Sequence, residues 1–236
     1  MNIYQIENSG QTKKLKNVDK IDLPSEIYAI ASNSIDRVAI GGESNKVDIH
    51  LVNQGSIKLD MPELAMQFES PIQRLQWVGG RYVVAYSEND SEVQIFNTEN
   101  EYVMRFRLDS GVTAKNGSMD PLGRFFAVST TDGHVYIFLV PTEGSNIGEV
   151  VKKIKITKLK HEAFGTNPFE ISWTPDGSAL LVSGENTLGV VSRDSWELHY
   201  SKDFGHKKPI TCVSWLTETV LATAGLDKII KIWHFP

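Results

Sequence analysis

The chain repeats one pattern of hydrophobic and polar positions along most of its length. The pattern is clearest in LATAGLDKIIKIW, residues 221–233, where an apolar run, a polar turn and an alternating apolar run follow one another. Alternation with a period of two residues, in β-branched runs bounded by Gly and Asp, predicts two antiparallel β-strands. No ten-residue segment shows sustained helical periodicity, and we therefore predict an all-β protein.

Four earlier stretches follow the same pattern. They are RVAIGGESNKVDIH ending at His50, YVVAYSENDSEVQIF at Phe96, RFFAVSTTDGHVYIF at Phe138 and ALLVSGENTLGVV at Val191. The last residues of these stretches and Trp233 are 46, 42, 53 and 42 residues apart. A period of roughly 40 residues is typical of a protein built from repeated sheets.

The first four repeats each contain two further β-rich runs, and the last contains one. The upstream runs are EIYAIAS, IQRLQWV, VTAKNGSMD, FEISWTPDG and ITCVSWL, and the downstream runs are SIKLDM, EYVMRFRL, VVKKIKITKLK and ELHYSKDF. Four strands per unit predict the blades of a β-propeller. The second strand is almost entirely apolar, as expected for a strand covered on both faces, and the fourth alternates, as expected at a solvated rim.

We predict one propeller domain over residues 1–236, with four complete blades and partial blades at both ends. NIYQI and TKKLKNV near the N-terminus are expected to supply strands of a partial blade. A strand from the N-terminus could complete the last unit and close a five-bladed ring, because closure removes exposed sheet edges. The alternative is an open fragment of a seven-bladed ring.

The last repeat resembles the WD40 family. His206 precedes its first strand, Thr223 lies on the second, Asp227 lies in the turn and Trp233 ends the third. The resemblance implies that these four side chains form a buried hydrogen-bond chain, and a buried indole N–H and imidazole do need partners. WTPDG, residues 173–177, also matches the usual turn between the first two strands of such a repeat.

A more specific resemblance is to the replisome adaptor family of the chromosome transmission fidelity protein and the WD-repeat, HMG-box DNA-binding protein. It is carried by the order of the units and by VVSRDSWEL, residues 190–198. The resemblance implies a nuclear, non-enzymatic scaffold that links the replicative helicase to DNA polymerase alpha and supports sister-chromatid cohesion. The alternatives are a cytoplasmic WD40 adaptor of another pathway and an enzyme with its site at the central channel.

Composition narrows the partners and the compartment. The formal net charge is −5, so no global attraction to nucleic acid is expected. A single cysteine, Cys212, cannot form an internal disulfide and fits a reducing compartment. The N-terminus lacks the layout of a secretion signal, and no apolar run approaches the roughly 18 residues of a membrane span. We expect no membrane contact.

Candidate chemistry is sparse. GGES at Gly41 lies between two strands and is interpreted as a strand turn rather than a phosphate-binding loop. The six histidines show no pair at metal-ligand spacing, and RDSW lacks the strand-to-helix turn of an activated serine. We therefore predict no catalytic residues, metal, cofactor or small-molecule substrate. Cys212, in ITCVSW, is predicted to pack in the core.

Two features suggest binding surfaces. Five lysines fall within nine residues of a predicted fourth strand: Lys152, Lys153, Lys155, Lys158 and Lys160. They either prevent edge-to-edge strand pairing or contact phosphate or an acidic partner, including weak contact with nucleic acid. Trp196, which follows RDS just after a third strand, either packs at the rim or anchors a partner protein. Trp77, Trp173 and Trp215 are predicted to pack between blades.

Overall fold

The computed structural model describes residues 2–9, 12–20, 25–33, 35–52, 63–78, 80–87, 89–141, 147–156, 170–184 and 186–234. These ranges contain 21 β-strands and no helix. No helix that could cross a membrane is present among them. The prediction of an all-β protein is confirmed.

Consecutive strands pair antiparallel into sheets that follow the order of the chain. An N-terminal hairpin is formed by β1 (Asn2–Ser9) and β2 (Thr12–Lys20). The first sheet contains β3 (Ile27–Ser32), β4 (Arg37–Gly42), β5 (Lys46–Leu51) and β6 (Glu63–Gln67). The second sheet contains β7 (Ile72–Val78), β8 (Tyr82–Ser87), β9 (Glu92–Asn97) and β10 (Tyr102–Arg107).

Three more sheets follow. The third sheet contains β11 (Ala114–Met119), β12 (Phe125–Thr130), β13 (His134–Leu139) and β14 (Glu149–Lys155). The fourth sheet contains β15 (Ile171–Trp173), β16 (Ala179–Gly184), β17 (Thr187–Ser192) and β18 (Leu198–Gly205). The last sheet contains β19 (Ile210–Trp215), β20 (Val220–Gly225) and β21 (Ile230–His234). Repeated four-stranded antiparallel meanders that follow the order of the chain are consistent with WD40-type propeller blades, and the predicted fold class is confirmed.

One predicted strand lies elsewhere. SIKLDM, residues 56–61, was expected to be the fourth strand of the first sheet, but this position is taken by β6. Residues 56–61 lie outside the described residues. ELAMQ, the sequence of β6, places three apolar residues between two polar ones, whereas SIKLDM alternates strictly, so alternation favours the segment that does not occupy this position.

The chain divides into two compact units, residues 1–88 with 94–103 and residues 89–93 with 104–236. In the first unit the core lies between the first sheet and the strands β7 and β8. Val47 and Ile49 of β5 pack there with Ile72 and Val83. A Cβ at Gly41 would lie 2.8 Å from the Ile72 side chain, so the first glycine of GGES permits this close approach of strand and sheet.

In the second unit the third and fourth sheets bury a common core. Val135 and Ile137 of β13 pack with Ile171, Trp173 and Leu180 of the fourth sheet. Burying each such aliphatic side chain contributes about 1.5–3 kcal/mol. Trp173 is only 4% exposed, and a first-strand tryptophan thus packs between sheets as predicted.

The fourth and last sheets repeat this arrangement. Leu181 and Leu188 of the fourth sheet form a cluster with Ile210 and Leu221 of the last sheet, and Trp215 packs at its edge. In each case one sheet presents aliphatic side chains of its second and third strands to the first and second strands of the next. Sheet-on-sheet burial is therefore the common source of stability within this unit.

The prediction that Cys212 packs in the core is wrong, because Cys212 is exposed. Its strand partner is Ala224, which in turn pairs with Ile230, so the three side chains share one face of the last sheet. Ile230 on that face is 73% exposed. No described sheet of the second unit covers this face, whereas Ile210 and Leu221 lie in the cluster shared with the fourth sheet.

The WTPDG turn is fixed by an acidic side chain. The Thr174 hydroxyl donates to Asp176 Oδ1 at 2.6 Å, and the Ser178 backbone N–H and hydroxyl donate to the same oxygen at 3.0 and 2.8 Å. The Thr174 hydrogen bond, helped by those from Ser178, lowers the pKa of Asp176 to about 2. Gly177 has a φ of +68°, which a glycine adopts without strain.

This network predicts a pH-dependent contribution to stability. Because the folded pKa of Asp176 is lowered from 3.8 to about 2, the contribution is complete above pH 3.8 and is lost as the pH falls through about 2. We expect the difference in unfolding free energy between the native protein and Asp176→Asn to shrink over that interval, as measured by urea denaturation. Asp194→Asn, at a side chain 92% exposed, is the matched control for losing one carboxylate. A difference that does not change with pH would contradict the assignment.

Candidate functional site

The last sheet holds a continuous chain of side-chain hydrogen bonds. Trp233 Nε1–H donates to Thr223 Oγ1 at 2.8 Å, and Thr223 Oγ1 lies 2.8 Å from His206 Nε2. His206 Nδ1 lies 3.0 and 3.1 Å from the two carboxylate oxygens of Asp227. The structure thus brings together the four residues singled out in the sequence.

One tautomer of the imidazole satisfies the donors and acceptors of this chain. An ionised carboxylate only accepts, so Nδ1 of His206 carries the proton that is donated to Asp227. The Thr223 hydroxyl accepts from Trp233 and has one proton to donate, for which Nε2 of His206 at 2.8 Å is an available acceptor. A neutral imidazole protonated at Nδ1 therefore satisfies every bond from the indole to the carboxylate.

Burial makes these bonds important for stability. The His206 side chain is 0% exposed, that of Asp227 is 5% exposed, and Thr223 is buried. Burial by itself raises the pKa of Asp227, but hydrogen bonds from His206 and from the backbone N–H groups of Lys207 and Ile229 outweigh it and leave the pKa lowered. The structure therefore holds Asp227 in its charged form, with its oxygens directed inward.

The chain also joins two loops at one end of the last sheet, residues 206–209 (HKKP) and 225–229 (GLDKI), which we call the paired loops. The Lys207 backbone N–H donates to Asp227 Oδ2 at 3.0 Å, and the Leu226 N–H donates to Pro209 O at 2.9 Å. A Cβ at Gly225 would lie 2.8 Å from His206 Nδ1, so only glycine allows the imidazole to approach. The loops are thus held together by side-chain and backbone bonds.

The third sheet has lost this chain. Val128 and Phe138 occupy the positions of Thr223 and Trp233, and both are buried. The ring of Phe138 packs edge-on against Phe106, with ring centroids 5.4 Å apart. Aromatic packing replaces hydrogen bonding in this sheet.

Asp132, the acidic residue retained in the turn of the third sheet, has other partners. It accepts from the Thr130 hydroxyl, lies 2.9 Å from His134 Nδ1 and lies 3.5 Å from Lys153 Nζ. Burial raises the pKa of Asp132, but Thr130 and the charges of His134 and Lys153 outweigh it and lower the pKa overall. This carboxylate stabilises its own turn.

The lysine-rich strand does not form one cationic surface among the described residues. Lys153 Nζ pairs with Asp109 at 2.7 Å and lies 4.7 Å from the centroid of the Tyr136 ring. The bond with Asp109 raises the pKa of Lys153 and lowers that of Asp109. Lys153 and Lys155 lie on one face of β14 and Lys152 on the other.

Lys158 and Lys160 lie outside the described residues. The pairing of Lys153 was not visible in the sequence, because Asp109 is 44 residues away along the chain. Contact between this strand and an anionic partner stays a prediction.

Trp196 lies between β17 and β18 with a left-handed φ of 55°. Its backbone N–H donates to Ser192 O at 2.8 Å. Its ring packs edge-on against Phe125 and Trp173, with centroids 5.1 and 6.2 Å away. The half-buried indole therefore covers the core between the third and fourth sheets, and its role as a partner anchor stays a prediction.

No group of three or more His, Cys, Asp or Glu side chains that could hold a metal ion occurs among the described residues. The paired loops also carry a set of lysines that were not predicted from the sequence as part of the site. Lys207 and Lys208 directly follow His206, and Lys228 directly follows Asp227. The signal was present, because a predicted bond between His206 and Asp227 brings these lysines to the same end of the sheet.

Comparison with known proteins agrees with this geometry. Residues 198–234, which include the whole hydrogen-bond chain, match the family model described as WD domain, G-beta repeat. The chain is similar to Protein HIR1 of Candida albicans, with 22% identity over 234 residues that cover 86% of this chain and 26% of that protein.

Two other relatives match shorter stretches. Actin-interacting protein 1 of Caenorhabditis elegans is 26% identical over 113 residues, covering 47% of this chain and 17% of that protein. The probable cytosolic iron-sulfur protein assembly protein CIAO1 homolog of Schistosoma japonicum is 32% identical over 84 residues, covering 34% of this chain and 23% of that protein. The chain spans about a quarter or less of the length of these relatives.

The central position of Thr223 gives a direct test of the chain. Thr223→Val keeps the shape of the side chain but leaves the Trp233 indole N–H and His206 Nε2 without their partner. We expect a loss of about 1–3 kcal/mol in unfolding free energy, since buried polar groups left unsatisfied cost this much. Denaturation with urea measures it.

The matched control for this substitution is Thr219→Val, at an exposed residue before the same strand. Its effect should stay within about 0.5 kcal/mol. Equal effects of the two substitutions would show that the buried hydroxyl contributes no more than an exposed one.

Proposed function

We propose that the protein is a non-enzymatic scaffold that binds other proteins through exposed loops and blade edges. The observation that carries this proposal is that the polar side chains of the hydrogen-bond chain in the last sheet point inward and bond to one another. The side chains of His206 and Asp227 are buried and bonded to each other, and they join two loops whose lysines are exposed. Such an arrangement presents a fixed surface to a partner.

The direction of the pKa shifts of the carboxyl groups favours a binding function over catalysis. Among the described residues, the carboxyl groups whose pKa is shifted are Asp109, Asp132, Asp176 and Asp227, and each pKa is lowered. A general acid at neutral pH needs a raised pKa. Hydrogen bonds and ion pairs instead hold these four groups in the charged form, as in structural turns.

The names of two relatives agree with the proposal. One is an actin-interacting protein and the other is a protein of cytosolic iron-sulfur protein assembly. At identities of 26% and 32% over less than half of this chain, these relatives support the binding of other proteins as a general function, and they do not support any particular partner.

Within this class we propose a nuclear adaptor of DNA replication that links the replicative helicase to DNA polymerase alpha. Its support is the VVSRDSWEL segment, residues 190–198, and the order of the repeats. A cytoplasmic adaptor of another pathway is the second candidate, favoured by the word cytosolic in the name of the Schistosoma japonicum relative. The ion pairing of Lys153 with Asp109 leaves a nucleic-acid contact of β14 with weaker support.

Affinity purification of the full-length native protein, followed by mass spectrometry, tests both the scaffold function and the more specific role as a replication adaptor. We expect other proteins to be enriched over a tag-only control, with helicase and polymerase alpha subunits among them. A reproducible set of unrelated partners would support the scaffold and overturn the replication adaptor. The absence of any enriched protein would overturn the scaffold itself.

A further inference from the structure

We propose that the paired loops form a docking surface for an acidic segment of a partner protein that carries an apolar side chain. This proposal rests on the scaffold function and adds to it the place and the chemistry of one contact. The surface consists of Lys207, Lys208 and Lys228 together with Leu226 and Ile229.

The positive charge of this surface is offset only by the single carboxylate of Asp227 among the described residues of the paired loops. Lys207, Lys208 and Lys228 are exposed, and none has a described carboxylate within the 4.0 Å of an ion pair. Asp227, the acidic residue of the paired loops, directs its oxygens to His206 and to backbone N–H groups. Three exposed lysines therefore lie on two joined loops of a protein whose net charge is −5.

The same surface exposes apolar area. Leu226 is 43% exposed and Ile229 is 40% exposed, and each lies within two residues of Lys228. A partner that covers both leucine and isoleucine side chains would gain the burial of apolar area in addition to charge pairing. Acidic side chains around one apolar anchor match both features.

The loops hold this arrangement before any partner binds. The bonds from Lys207 N–H to Asp227 Oδ2 and from Leu226 N–H to Pro209 O join segments about 20 residues apart in sequence. These bonds keep the lysine charges at one end of the sheet, whereas in a flexible chain the same charges would separate. A preformed surface loses less entropy on binding, which increases affinity for a given set of contacts.

A protein partner fits better than a nucleic acid. Binding of a nucleic acid is dominated by phosphate contacts and is assisted by a positive field over the whole protein. Here the field of the protein is negative overall, and the cationic groups are interleaved with leucine and isoleucine. Single-stranded DNA is therefore the comparison ligand in the test.

The probe is a fluorescent 12-residue peptide of alternating Asp and Glu around one central Leu, titrated against the full-length native protein by fluorescence anisotropy. We expect Lys208→Glu with Lys228→Glu to weaken peptide binding about tenfold or more, because two attractions become repulsions. Lys152→Glu with Lys155→Glu makes the same change of charge at exposed lysines of β14 and should leave the dissociation constant within about twofold. Unchanged unfolding midpoints verify that both variants fold.

Three outcomes would overturn the proposal. The peptide could fail to bind at millimolar concentration, both double variants could weaken it equally, or single-stranded DNA could bind the paired loops while the peptide does not. Leu226→Ser should also weaken binding of the peptide, which separates a mixed surface from a purely electrostatic one.

The same variants used in affinity purification distinguish this proposal from the scaffold function. If the native protein and the Lys208→Glu, Lys228→Glu variant capture the same proteins, the scaffold stands and the docking surface fails. If neither captures any protein, the scaffold function fails.

Discussion

The conformation of the two loops at the end of the last sheet depends on the buried carboxylate of Asp227. An ionised group that is 5% exposed costs free energy unless its oxygens are hydrogen-bonded, and it receives bonds from His206 and from two backbone N–H groups. The imidazole is also hydrogen-bonded to the Thr223 hydroxyl, and this hydroxyl accepts a hydrogen bond from the Trp233 indole. Loop, turn and two strands are thereby linked through one set of polar groups.

The other sheets show that blades can form without this link. In the third sheet Val128 and Phe138 stand where the hydrogen-bonding residues would be, and Phe106 packs on the ring of Phe138. Burial of aliphatic faces between neighbouring sheets is common to both arrangements. We infer that apolar burial stabilises the sheets, while the polar chain of the last repeat additionally fixes the position of the paired loops.

The sequence predicts the fold well because the repeat places similar side chains at the same strand positions. It also identifies the four residues of the hydrogen-bond chain, since they have the spacing of the WD40 repeat that the last unit resembles. It fails for Cys212, because alternation does not reveal which face of the last sheet a neighbouring sheet covers. It also misses the pairing of Asp109 with Lys153, which depends on a tertiary contact. The lysines of the paired loops are missed as well, although the predicted bond between His206 and Asp227 already places them at the same end of the sheet.

Hydrogen exchange of the Lys207 backbone amide tests the central claim most directly. Lys207 is exposed, but its N–H donates to the buried carboxylate of Asp227. If that carboxylate joins the two loops, the amide exchanges much more slowly than that of an unstructured lysine, and Asp227→Ala removes the protection. Exchange at the unstructured rate in the native protein would contradict the account.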